Sequence, residues 1–229
     1  MKGKVIVISL GGSLIIPKEI DYYFLKNFRK IIRKNYRRYK FVVVCGGGFI
    51  ARKYISVLKK EGKSVKQQAL AGIRATRMNA LFLIQLFGNE ANSMLPKSIK
   101  EVKSNLIRNN IVFCGALRYG ENETSDGTAA KLAQYFKTDL INMSNVSGLY
   151  TSNPLKNKKA NFIPKISWEK FKKMALKIKY RPGQHFVLDQ HAAQVIKKYR
   201  IKTCLIGGSA KNLYNLLNGK KFIGTVIEG

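Results

Sequence analysis

The chain has 229 residues, 45% of them hydrophobic, and a formal charge of +31 from 43 Lys and Arg against 12 Asp and Glu. That length suits one α/β domain with a real core and is short for two independent ones. No apolar run approaches the roughly 18 residues of a membrane span, and the basic stretches carry no paired zinc ligands or RNA-reading aromatic signature, so neither membrane nor nucleic acid is the expected partner. The nine basic side chains of residues 18–40 and the ten of residues 156–181 read as solvated faces whose field would also attract anionic nucleotides.

In chain order, KVIVISL (4–10) is a buried first strand ending at Gly11, Gly12 and Ser13, which read as a loop. From about Ile20 to Tyr36, the residues Tyr23, Phe24, Phe28, Ile31 and Ile32 have helical spacing. FVVVC (41–45) is a second strand, ending at Gly46, Gly47 and Gly48, and a helix follows it. Another helix runs from about Val65 to Leu86. IVFC (111–114) leads through a polar loop to a helix over about Asp126 to Phe136, and LINMS (140–144) follows. Helices near 167–178 and 189–199, a strand TCLI (203–206), a short helix near 210–217 and a strand TVI (225–227) complete the chain. Alternating strands and helices predict an α/β fold, a three-layer αβα sandwich on a mostly parallel central sheet. The domain is expected to be continuous, with an acceptor-binding lobe at 1–140 and an ATP-binding lobe at 141–229. Cys45, Cys114 and Cys204 each lie in or at the end of an apolar run, have no metal-ligand spacing, and fit reduced thiols and a cytoplasmic location.

Ligands of parallel sheets bind outside the carboxyl ends of the strands. The two glycine clusters, Gly11-Gly12-Ser13 and Gly46-Gly47-Gly48, occupy two such ends. Glycine lets backbone N–H groups approach phosphate closely, and a following helix N-terminus adds positive character. The Gly-Lys-Ser/Thr of a P-loop and the G-x-G-x-x-G dinucleotide fingerprint are both missing. Arg52, four residues past Gly48, could reach back over bound phosphates. Phosphoryl transfer needs charge neutralisation and alignment, usually with Mg²⁺ and a placed carboxylate. Of the 12 Asp and Glu, three sit at strand ends or helix starts: Asp126, Asp139 and Asp189. Asp139 and Asp189 read mainly as turn and cap residues. Asp126, after a loop rich in hydroxyls and glycine, is the strongest candidate. Trp168 reads as core, and His185 and His191 as isolated.

VCGGGFIARKY (44–54) resembles the GGG-x-x-AR-x-Y segment of archaeal-type uridylate kinases, in the amino acid kinase superfamily. TSDGTAAKLAQYFKTDLINMSNVSGLYTSNP (124–154) and GTVI (224–227) resemble the same family. The resemblance implies MgATP as phosphoryl donor and UMP as acceptor, giving UDP and ADP in pyrimidine nucleotide (CTP) biosynthesis, in a homohexamer. It also implies roles. Gly11, Gly12 and Ser13 would face the ATP phosphates, with Gly11 and Ser13 taking part in catalysis beside Asp126. Gly48 and Arg52 would contact ATP, and Ser144, Tyr150 and Asn153 its adenosine part. Gly47 and the loop Tyr119, Gly120, Glu121, Asn122, Glu123, Thr124 and Ser125 would hold the acceptor. No residue is expected to form a metal site of the protein's own.

The chain departs from the family pattern at Ala69, where an acidic residue usually holds the acceptor ribose. Losing such a charge-assisted pair should weaken UMP binding by about 1–3 kcal/mol. Asn153 and Ser147 stand where Asp is common, and Ser9 where many superfamily members place a lysine. These departures leave open a kinase of the same fold with a different phosphate monoester or small acid as acceptor. A weakly catalytic nucleotide- or RNA-binding protein is the further alternative.

Overall fold

The computed structural model describes residues 3–119, 123–152, 154, 157–177 and 188–229. The chain opens with β1 (Lys4–Leu10), the one-turn α1 (Gly12–Ile15), α2 (Tyr22–Lys34), β2 (Tyr39–Cys45), α3 (Gly48–Lys60), α4 (Val65–Phe87) and α5 (Ile99–Arg108). It continues with β3 (Ile111–Cys114), α6 (Ser125–Phe136), β4 (Leu140–Ser144), β5 (Leu149–Tyr150), β6 (Phe162–Ile163) and β7 (Lys165–Ile166). The last elements are α7 (Trp168–Leu176), α8 (Gln190–Tyr199), β8 (Thr203–Gly207), α9 (Ala210–Leu217) and β9 (Gly224–Ile227).

Seven strands form one sheet in the order β3-β2-β1-β4-β8-β9-β7, and β5 pairs with β6 in a small separate hairpin. All neighbours in the large sheet run parallel except β8 and β9. Strand side chains alternate between faces, and β1 shows the consequence. Val5 and Val7 join a core with Val102, Leu106, Leu132, Phe171 and Ile196, under α5 to α8. Ile6, Ile8 and Leu10 join the opposite core with Ile15, Phe28, Ile32, Leu83 and Leu213. Both faces of the sheet are therefore covered, and the expected three-layer αβα architecture is present.

Several local expectations need correction. Gly12 and Ser13 lie in a helical turn, not an open loop. Ile15 is fully buried, and Leu14 and Ile16 donate their amides to Gly11 O and Gly12 O at 2.8 and 2.9 Å. On α2 the buried positions are Leu25, Phe28 and Ile32, while Tyr23 faces outward. Trp168 packs against the core, as expected, and donates Nε1 to Ile201 O at 3.0 Å.

Candidate active site

The strand order reverses at β1 and β4, because β2 and β3 lie to one side and β8 to the other. Such a reversal leaves a crevice at the carboxyl ends of the strands. Gly11 enters it as β1 ends, and its amide donates to Met143 O on β4 at 2.8 Å. The next strand exit closes on the same point, since Gly46 N donates to Leu10 O at 2.8 Å. A Cβ added at Gly46 would sit 2.7 Å from the Gly12 nitrogen, and one at Gly12 would collide with Gly46 O and the Gly48 nitrogen. The two glycine bends thus touch backbone to backbone, which no side chain would permit. Gly48, at φ +56°, turns the chain into α3. Arg52 on α3 donates Nη2 to Ser13 Oγ at 3.3 Å, bridging one bend to the other.

Asp126 stands beside the bends in the first turn of α6, whose N-cap Thr124 takes the amide of Gly127 at 2.9 Å. Asp189 is the N-cap of α8 and accepts from Ala192 N at 2.8 Å. The two helix starts approach closely because residue 127 is glycine: a Cβ there would lie 2.6 Å from His191 Cδ2. Asp126 and Asp189 are thereby brought within electrostatic reach, next to two positive helix ends. Ser9 Oγ donates to Asp126 Oδ1 at 2.8 Å. Asp126 is pushed up to about 7, first by burial and then by the Asp189 charge, with the Ser9 hydrogen bond opposing both. Among the described residues no lysine or arginine forms an ion pair with either carboxylate. The two carboxyls share one buried site at the starts of α6 and α8.

The other expected residues divide. Ser144 ends β4 next to Gly11, and its Oγ takes the amide of Val146 at 3.3 Å. Glu123 precedes α6 and pairs with Lys131 at 2.6 Å. Thr124 and Ser125 open α6 beside Asp126, and Gly47 opens α3. Tyr150 lies on the β5–β6 hairpin against Phe162, and no hydrogen bond ties it to the bends. Gly120, Glu121, Asn122, Asn153 and His185 lie outside the described residues. The three cysteines are free and buried, and burial pushes the Cys114 thiol up to about 12, so none is poised as a nucleophile.

Asp189 caps α8 as expected, and sequence reasoning missed the contribution of α4. Asp189 is 7% exposed, which a simple surface cap would not be. On α4, Asn79 donates Nδ2 to Gly46 O at 2.7 Å and holds the second glycine bend from behind. A polar residue on the buried side of a helix is the signal that could have found it. Ala69 is buried on the same helix, so α4 presents no carboxylate at that position.

A divalent cation suits this donor set. Mg²⁺ binds hard oxygens and commonly uses only one or two protein carboxylates together with substrate phosphates. The crevice offers Asp126 and Asp189, and beside Ser9 on the sheet floor the buried Asn142 Oδ1 has no hydrogen-bond partner. No cluster of three or more His, Cys, Asp or Glu that could hold a metal occurs among the described residues.

Residues 4–207 match the model of the amino acid kinase family. A uridylate kinase of Thermococcus kodakarensis is 32% identical over 225 residues, covering 97% of this chain and 99% of that protein. A uridylate kinase of Methanocaldococcus jannaschii is 32% identical over 232 residues, covering 98% and 99%. Among solved structures, the uridylate kinase of Archaeoglobus fulgidus superposes with a TM-score of 0.82 at 32% identity, over 98% of this chain and 99% of that one. The glycine bends, the carboxylate beside them and these full-length similarities agree, and the chain belongs to the amino acid kinase family.

Proposed function

We propose that this protein transfers the γ-phosphoryl group of ATP to UMP, forming UDP and ADP, as a step of pyrimidine nucleotide synthesis. The observation that carries the reading is the contact between the two glycine bends with Asp126 at their side. Two separate strand exits meet backbone to backbone, where a polyphosphate and the phosphate that attacks it would come together. Near-full-length similarity to proteins named uridylate kinase selects UMP among possible acceptors.

In this mechanism Gly11, Gly12 and Ser13 face the donor phosphates, and Gly48 and Arg52 hold them from the second bend. Ser144, Tyr150 and Asn153 contact the adenosine part. Gly47 and the segment from Tyr119 to Ser125 hold the acceptor. The amides of the bends and the Arg52 guanidinium stabilise charge on the transferring oxygens. Mg²⁺, entering with ATP, would be held by Asp126 and Asp189 and would neutralise phosphate charge. The acceptor phosphate is already ionised, so no strong general base is required. Asp126 fixes the geometry of the donor side and lets Ser9 join β1 to it. Residues 1–140 supply the acceptor lobe and residues 141–229 most of the ATP lobe, within one continuous sheet.

The protein is expected to act in the cytoplasm as a homohexamer. Exposed Tyr54 and Val57 on α3 and Met78 and Leu81 on α4 support self-association. Among the described residues no helix is long and apolar enough to cross a membrane.

The test is ATP consumption measured with each nucleoside monophosphate in turn. Clear preference for UMP is expected. Saturable turnover with another phosphate monoester and none with UMP would favour the second reading, motivated by the missing carboxylate at Ala69.

A further inference from the structure

Where β3 ends, the chain is clamped by α4. Thr76 Oγ1 accepts from Ala116 N at 3.0 Å. The next residue, Arg77, donates Nε to Ala116 O at 3.0 Å and Nη2 to Leu117 O at 2.8 Å. The fit leaves no space for a side chain at Gly115, where a Cβ would lie 2.6 Å from Thr76 Oγ1 and 2.7 Å from Arg77 N. The same stretch of α4 lies behind the second glycine bend, through Asn79 on Gly46 O and through Gly72 O, 3.2 Å from a Cβ added at Gly47. Consecutive turns of one helix therefore set the exits of β2 and β3 relative to each other.

The Arg77 guanidinium also lies over the ring of Tyr119, 4.1 Å from its centroid. A guanidinium so placed gains from the ring quadrupole and holds the ring flat. Its two carbonyl hydrogen bonds keep the guanidinium itself from moving. Tyr119 remains 50% exposed, so one ring face is fixed from behind while the residue stays open to solvent. An aromatic ring fixed and exposed in this way can stack on a planar heterocycle with little further loss of side-chain freedom.

We propose that Tyr119 is a stacking platform for the base of the nucleotide acceptor, and that Arg77 is the positioning residue that presents it. The proposal rests on the reading that a nucleoside monophosphate binds beside Gly47. With alanine at position 69, recognition of the acceptor's non-phosphate part shifts from the ribose toward the base. Stacking tolerates different bases because each has a π-face, so the platform secures the presence of a base, and hydrogen bonds elsewhere select uracil.

The experiment compares wild-type, Tyr119→Ala, Tyr119→Phe and Arg77→Lys proteins for KM and kcat with UMP and ATP. Ribose 5-phosphate, which has the sugar and phosphate but no base, serves as competing ligand. Tyr119→Ala should raise the KM for UMP about tenfold, leaving the KM for ATP and the inhibition by ribose 5-phosphate unchanged. Tyr119→Phe, which retains the ring, should recover most of that loss. Arg77→Lys keeps the charge and loses the planar fork, so it should raise the KM for UMP with little change in kcat. An unchanged KM for UMP in Tyr119→Ala overturns the platform while the UMP reading stands. Equal weakening toward ribose 5-phosphate also overturns it, by assigning Tyr119 to sugar or phosphate. A wild-type protein without UMP turnover overturns both.

Discussion

Ser9 Oγ donates to Asp126 Oδ1 at 2.8 Å, joining residues 117 positions apart and fastening the end of the first strand to the start of α6. Burial and Asp189 outweigh this bond and raise Asp126 from its usual 3.8 to about 7. The unfolded chain releases this proton near pH 4, whereas the folded chain keeps it until about pH 7. Between those values the native state binds more protons, so this group lowers stability as pH rises through the window and its full cost is present above pH 7.

Asp126→Asn removes that cost together with the charge the mechanism needs. In calorimetry without nucleotide, the variant should melt above wild type at pH 8, and the gain should shrink toward pH 4. In kinetics it should lower turnover by about 100-fold or more, with a much smaller effect on ATP affinity. Equal losses in turnover and ATP affinity would assign Asp126 to binding alone.

Asp189→Asn keeps an oxygen for the Ala192 amide and removes the charge beside Asp126. The Asp126 carboxyl should then titrate at lower pH. The acid limb of the kcat/KM profile should therefore move down relative to wild type, alongside any loss of rate. An unmoved limb would place the controlling titration elsewhere.

Arg52 spans the two bends through a single hydrogen bond to the neutral Ser13 hydroxyl. Such a bond contributes only about 1 kcal/mol. Arg52→Met should thus change the melting temperature little and raise the KM for ATP about tenfold, the loss expected when a charge-assisted contact to phosphate disappears. Ser13→Ala should keep more ATP affinity than Arg52→Met.

Glu90 fixes α2 to the end of α4. It receives Arg29 Nη2 at 2.6 Å and Arg33 Nε at 2.6 Å, and Arg29 also donates to Phe87 O at 3.1 Å. Chiefly through the hydrogen bond from Arg33, the pair of arginines holds the Glu90 carboxyl below its usual 4.5. This stabilisation is present above pH 4.5 and is lost as pH falls through the depressed folded value. Glu90→Gln should cost about 1–2 kcal/mol at pH 7 in urea unfolding. The difference from wild type should narrow below pH 4.

Much of this fold is local in origin and legible in the sequence. The apolar run in KVIVISL gives β1 its expected bounds, and both glycine clusters fall at the strand ends where the bends form. Asp126 was recognisable because a hydroxyl-rich loop runs straight into an apolar-faced helix. Other features depend on distant partners. β5 and β6 have two residues each, too few for a period to register. The antiparallel run of β9 against β8 is a choice of tertiary packing. Asp189 looks the same in sequence whether it only caps α8 or also faces Asp126. Asn79 and Arg77 act on carbonyls 33 and 39 residues away, contacts that no local pattern encodes. α5 shows only a narrow apolar stripe in the sequence, because its Val102 and Leu106 are set among charged residues and asparagine.

ATP titration of Gly12→Ala by calorimetry examines most directly whether two chain reversals make one phosphate cradle. The added methyl must push Gly46 and Gly48 away from Gly12, parting the donors without removing any charged group. The account predicts that the variant keeps its circular dichroism spectrum and loses measurable ATP binding and UDP formation together. A variant that binds ATP as tightly as wild type and still forms UDP would contradict it.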